Sequence, residues 1–184
     1  MKIKKIKLFN GPCIIEPNIY ADRRGFLNET WNENAYNKQG IKFKVVQTIH
    51  SYSKKNVLRG IHYQYPNMQG KLVSVINGKI FDVIVDIRKN SPTFGKWYGT
   101  FLDSVKKRQL WIPEGFGHGF LVVSKTASII YQCAKKYLPN NQRQIVWNDP
   151  FIKIEWPTKK PILSKQDSQA SSLLNIKNLP IWKK

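Results

Sequence analysis

Apolar and polar residues alternate with a period of two along most of the chain, in short runs separated by Gly, Pro, Asn and Asp. That pattern predicts strands over 12–18 (PCIIEPN), 41–50 (IKFKVVQTIH), 71–76 (KLVSVI), 79–87 (KIFDVIVDI), 97–102 (WYGTFL), 108–112 (RQLWI), 118–124 (HGFLVVS) and 127–134 (ASIIYQCA). The stretch 56–64, NVLRGIHYQ, is also strand-like. Asn77-Gly78 predicts a two-residue hairpin turn between its flanking strands, because both residue types tolerate positive φ. Pro113 and Gly115 mark another turn. Helix is expected only over 31–39 and for a turn or two after Ser164. Many short strands with turns between them predict an all-β sandwich or barrel with short flanking helices. The mouth of a barrel is a common small-molecule site.

In the strand 79–87, Phe81, Val83, Val85 and Ile87 share one face, and Ile80, Asp82, Ile84 and Asp86 share the other. Two aspartates among isoleucines predict a face that lines something polar. With 184 residues and no internal repeat, the chain is expected to form one domain over 1–184, its tail from about residue 160 packing back on the barrel.

Charge adds a second question. The formal net charge is +20, which draws attention to anionic partners. The arginines are Arg23, Arg24, Arg59, Arg88, Arg108 and Arg143; the other cations are lysines, many in pairs such as Lys54-Lys55, Lys106-Lys107, Lys159-Lys160 and Lys183-Lys184. No helix-turn-helix, zinc-finger or RNA-recognition signature accompanies them, so no nucleic-acid partner is expected. No apolar run has the length of a bilayer span, and MKIKKIKLFNG lacks the continuous apolar stretch of a secretory leader. Cys13 and Cys133, two thiols far apart in sequence, fit a reducing cytoplasm.

Three kinds of chemistry compete for NVLRGIHYQ. A metal site would need His62, His118 and Glu114 to assemble as two histidines and a carboxylate; the alternate position after His62 is Gln64, which argues against it. A base would need a carboxylate to hold one ring nitrogen of His62, and Asp82 or Asp167 can supply it. The plain alternative is a core histidine bonded to backbone. Lys71 is read as a strand-end lysine or as a cation aimed into the barrel, and Tyr131 as a core aromatic or as a hydroxyl facing a pocket.

DRRGFLNETW (22–31), KKNVLRGIHYQ (54–64), QGKLV (69–73), GKIFDVIVDIRKNSPTFGKW (78–97), RQLWIPEGFGHGF (108–120), VWNDPFIKIEWP (146–157) and ILSKQD (162–167) together resemble the dTDP-4-dehydrorhamnose 3,5-epimerases. The resemblance implies a cupin-type jelly-roll barrel, a homodimer, no cofactor and no metal. It also implies a dTDP-linked 4-keto-6-deoxy sugar as substrate, inverted at C3 and C5. By the same resemblance His62 is the base, Asp167 orients it, Tyr131 is the acid and Lys71 stabilises the enolate oxygen. Arg24, Glu29, Gln47, Arg59, His118 and Tyr137 match substrate-binding positions, and part of the nucleotide site can come from the second subunit. Three positions depart from the usual pattern: Ile49, Gln142 and Gln166 stand where an asparagine, a glutamate and a lysine are common. They leave open the nucleotide, the sugar, and whether one carbon or both are inverted.

Overall fold

A computed structural model describes residues 1–182; the Lys183-Lys184 pair lies outside them. The strands in chain order are β1 (Lys2–Lys5), β2 (Cys13–Glu16), β3 (Ile19–Asp22), β4 (Gly25–Asn28), β5 (Gln47–Lys54), β6 (Leu58–Gln64), β7 (Lys71–Asn77), β8 (Lys79–Asp86), β9 (Trp97–Asp103), β10 (Gln109–Ile112), β11 (Phe116–Val122), β12 (Thr126–Cys133) and β13 (Gln142–Gln144). The α-helices are α1 (Glu33–Lys38) and α2 (Lys165–Ser168).

Two antiparallel sheets face each other, one in the order β1-β2-β10-β7-β12-β5 and the other in the order β13-β6-β11-β8-β9. This is the expected all-β jelly roll. Val73, Val75, Leu110, Ile112 and Ile129 from the first sheet interdigitate with Ile80, Ile84, Leu102, Phe120 and Val122 from the second.

The outer face of the second sheet is covered as well. Phe81, Val83, Val85 and Ile87 pack under Ile145, Ile152, Ile154 and Leu173 of the C-terminal segment. Burial of each such side chain is worth about 1.5–3 kcal/mol, so apolar packing holds the tail down. Asp149 adds a polar lock: it accepts from the amides of Phe151, Ile152 and Leu173 and from the Ser172 hydroxyl. On the first sheet's outer face, Trp31, Tyr36, Ile41 and Phe43 gather around α1, with Phe43 stacked on Trp111.

Three expectations need correction. Asn77-Gly78 does not close a hairpin: β7 bonds to β10 and β12, whereas β8 bonds to β11 and β9. Asn77 still pairs with Ser128, and of the two only Gly78 takes a positive φ, +82°. The chain there turns a corner from one sheet to the other. The strand expected over 41–50 begins only at Gln47, because Ile41 and Phe43 pack in the aromatic cluster instead of a ladder. The two aspartates of β8 also divide. Asp86 is structural, bonded by Arg88, Ser91 and Thr93, with Arg88 lying over the rings of Phe116 and Trp182. Asp82 lies beneath the cavity described next.

Candidate active site

The β6 strand carries an irregularity that shapes the site. His62 pairs with His118, but Arg59, three residues earlier, pairs with Phe120, only two residues further along β11. The extra residue is a bulge. Strict alternation would send residues three apart to opposite faces. The bulge instead leaves Leu58 and Ile61 in the outer core, while Arg59, His62 and Gln64 all line the interior cavity. Gly60 makes this possible. It has φ +132°, and a Cβ there would strike the Cα of Gly119 and approach the carbonyl of His118 to 2.9 Å.

The cavity opens between the sheets with a volume of about 360 Å³, within the usual range for small-molecule sites. His62 Nε2 donates to Asp167 Oδ1 at 2.5 Å. A carboxylate only accepts, so Nε2 carries the proton and Nδ1 carries the lone pair. Asp167 is buried at 3% exposure and held from its own side: its amide donates to Ser164 Oγ, and that hydroxyl donates to Asp167 Oδ2. Ser164 is the N-cap of α2. The tail is positioned by Ile162, whose amide donates to Asn56 O and whose carbonyl accepts from Leu58 N, next to the start of β6. Asp82, the other candidate for His62, instead accepts from His118 Nε2 at 2.8 Å.

Lys71 starts β7 opposite Cys133 of β12, and Tyr131 lies two residues before Cys133 on the same inward face. Burial pulls the Lys71 ammonium below its ordinary pKa. Burial also pushes the Tyr131 hydroxyl well above the usual phenol value, so it stays protonated through neutral pH. Arg59 is steadied by donation from Nε to Ser53 Oγ on the facing sheet. His118 and Tyr137 complete the set, and Ile49, Gln142 and Gln166 line the same cavity.

Four sequence candidates lie elsewhere in this chain. Gln47 sits behind the wall, its Oε1 accepting from the Tyr137 amide. Arg24 projects from the β3–β4 hairpin, where it pairs with Asp22 at 85% side-chain exposure, and Glu29 accepts from Asn32. The hairpin is a separate two-stranded sheet that joins neither main sheet, so both residues remain outside this cavity. Glu114 pairs with Lys135 near the surface and does not converge with His62 and His118. Two supporting residues escaped the sequence reading. Gln64 clamps the 136–138 loop by donating to Lys136 O and accepting from Leu138 N, and Ser164 holds Asp167. Gln64 does fall on the inward alternation after His62, which was the available signal.

A profile of the dTDP-4-dehydrorhamnose 3,5-epimerase family matches residues 7–175. The chain belongs to that family. It is 51% identical over 156 residues to the dTDP-4-dehydrorhamnose 3,5-epimerase of Shigella flexneri, covering 84% of this chain and 86% of that one. Its fold matches the crystal structure of the dTDP-6-deoxy-D-glucose-3,5-epimerase of Legionella pneumophila, in complex with dTDP-4-keto-L-rhamnose. That match has a TM-score of 0.96 and 44% identity over 100% of this chain and 99% of the other. A 3'-monoepimerase from Streptomyces bikiniensis, in complex with dTDP-quinovose, is also similar, with a TM-score of 0.88 and 32% identity over 93% of this chain and 89% of the other. Epimerases of one and of two carbons thus share this barrel. Both thiols of the present family member are free and buried, and no helix among its described residues is long and apolar enough to cross a membrane.

Proposed function

We propose that the protein inverts C3 and C5 of dTDP-4-keto-6-deoxy-D-glucose to give dTDP-4-keto-L-rhamnose, in the cytoplasm, for surface polysaccharide synthesis. The single observation that carries the mechanism is the convergence of the His62–Asp167 pair, Lys71 and Tyr131 on one cavity. Each inverted carbon is alpha to the C4 ketone, so its proton becomes acidic when the enolate charge resides on that oxygen. His62 Nδ1 takes the proton, and Asp167 stabilises the imidazolium that forms. The Lys71 ammonium faces the developing enolate oxygen. Tyr131, protonated at neutral pH, returns a proton to the opposite face, which inverts the centre. Arg59 and His118 contact the substrate, Arg59 as a fork suited to diphosphate, and Tyr137 stacks on the base. No cofactor takes part.

The working unit in this reading is a homodimer of one cupin-like domain, with the tail from about residue 160 integral because it delivers Asp167. Support comes from the β3–β4 hairpin, which exposes Tyr20 at 64%, Phe26 at 58% and Leu27 at 72%. Apolar surface of that kind marks an interface. Docked on a second copy, the hairpin would bring Arg24 and Glu29 to the nucleotide end of that copy's cavity, with Gln47 supporting Tyr137.

The test is proton NMR of dTDP-4-keto-6-deoxyglucose with the protein in D₂O. Deuterium at C3 and C5 with formation of the L-sugar is expected. Exchange at one carbon only would select the single-carbon reading, the activity of the 3'-monoepimerase to which the chain is also similar. No exchange would refute the substrate assignment.

A further inference from the structure

Asp82 is fully buried on the inner face of β8, and the epimerisation scheme gives it no task. Its Oδ1 accepts from His118 Nε2, while its Oδ2 is buried with no hydrogen-bond partner among the described residues. A buried carboxylate with one bare oxygen is costly, and Asp82 does not line the cavity itself. Its bonded partner does line it: His118, whose ring meets Tyr131 edge-on at 6.1 Å between centroids, in the same cavity as Lys71. The titratable groups that share the cavity with Lys71 are Cys133 and Tyr131 on β12, His118 on β11, Arg59, His62 and Tyr63 on β6, Tyr137, and Asp167 on α2, with Asp82 on β8 behind them. Burial penalises the Lys71 ammonium, and negative charge on Cys133 or Asp82 opposes that penalty. Burial raises the Cys133 thiol as well, which leaves Asp82 as the other acidic group opposing the penalty on Lys71.

We propose that Asp82 is a positioning residue for the electrophilic wall of the site: it orients the His118 ring and supplies the buried negative charge that keeps Lys71 an ammonium. The inference rests on the reading of Lys71 as the group that faces the enolate oxygen. A neutral lysine cannot stabilise that oxygen by charge, so the alkaline limb of kcat reports the loss of its proton. Asp82→Asn preserves shape and an oxygen acceptor for His118 but removes the charge. Removing an opposite charge lowers the pKa of a buried ammonium. The alkaline limb of kcat in Asp82→Asn should therefore move measurably toward acid, while KM changes less than about threefold, because Asp82 lies behind the cavity.

The experiment is a kcat and KM profile from about pH 6 to 10 for the full-length protein and for Asp82→Asn, read as deuterium exchange into dTDP-4-keto-6-deoxyglucose. A limb that is unmoved, or absent from both proteins, overturns the proposal. An unsubstituted protein that exchanges no deuterium fails the enolate reading itself, an outcome distinct from an active protein with an unmoved limb. If Asp82→Asn does not fold, ¹⁵N NMR of the unaltered protein decides. The Nε2–H tautomer of His118 is expected, and the Nδ1–H tautomer would overturn the assignment.

Discussion

Replacing Asp167 by Asn tests the base most directly. The carboxylate sits at hydrogen-bond distance, 2.5 Å, from His62 Nε2 and is almost wholly buried. Two losses follow from the substitution. The first is charge: a hydrogen bond to an ionised group contributes about 1.5–3 kcal/mol, and here it strengthens as the imidazolium forms. The second is direction. Ser164 Oγ donates to Asp167 Oδ2, so the amide oxygen of an asparagine would turn toward Ser164 and its NH₂ toward His62. An NH₂ donor forces the proton from Nε2 to Nδ1, the atom that accepts the substrate proton in the proposed scheme. Together these effects amount to about 3–5 kcal/mol of barrier, or roughly 10²–10⁴ in kcat. The assay is the initial rate of deuterium wash-in at saturating substrate, with circular dichroism and dTDP binding as controls for fold and ground-state affinity. A kcat within about threefold of the unsubstituted protein, fold intact, would refute the dyad.

Tyr131→Phe should separate the half-reactions: deuterium wash-in survives, while formation of the inverted sugar slows by about 10²-fold or more, read in the same spectra. Gly60→Ala should destabilise by about 2–5 kcal/mol in urea unfolding, because a residue at φ +132° is strained and its Cβ would force β6 and β11 apart. Acid unfolding should be controlled in part by Asp86 and Asp149. Burial raises both carboxyls, but hydrogen bonds outweigh it and hold them below the ordinary carboxylate value: from Arg88, Ser91 and Thr93 at Asp86, and from Leu173, Ile152, Ser172 and Phe151 at Asp149. A depressed folded value means that this stabilisation is complete above about pH 4, the unfolded value, and is lost as pH falls through the lower folded values. Urea unfolding repeated from about pH 7 down to 2 should thus show the loss below about pH 4, and Asp149→Asn should flatten it.

Much of the barrel is legible in the chain because burial imposes a period on it. Strands β7 to β12 lie close to the predicted runs, and each carries side chains packed in the core. The strands that escape the pattern are β1, β3, β4 and β13, which bury little or nothing, so no alternation is imposed on them. The motifs around His62, Lys71 and Tyr131 are local and readable, and with them the family. Tertiary structure decided the rest. Asn77-Gly78 has the composition of a hairpin turn, yet the pairing partners of its flanking strands send the chain from one sheet to the other. Residues 105 apart make the His62–Asp167 pair, and no spacing rule separates Asp167 from Asp82. That choice is made by the apolar tail packing on the second sheet and by Ile162 bonding beside β6. Arg59 and His62 share a cavity only because a bulge at Gly60 breaks the alternation by which strands are otherwise read.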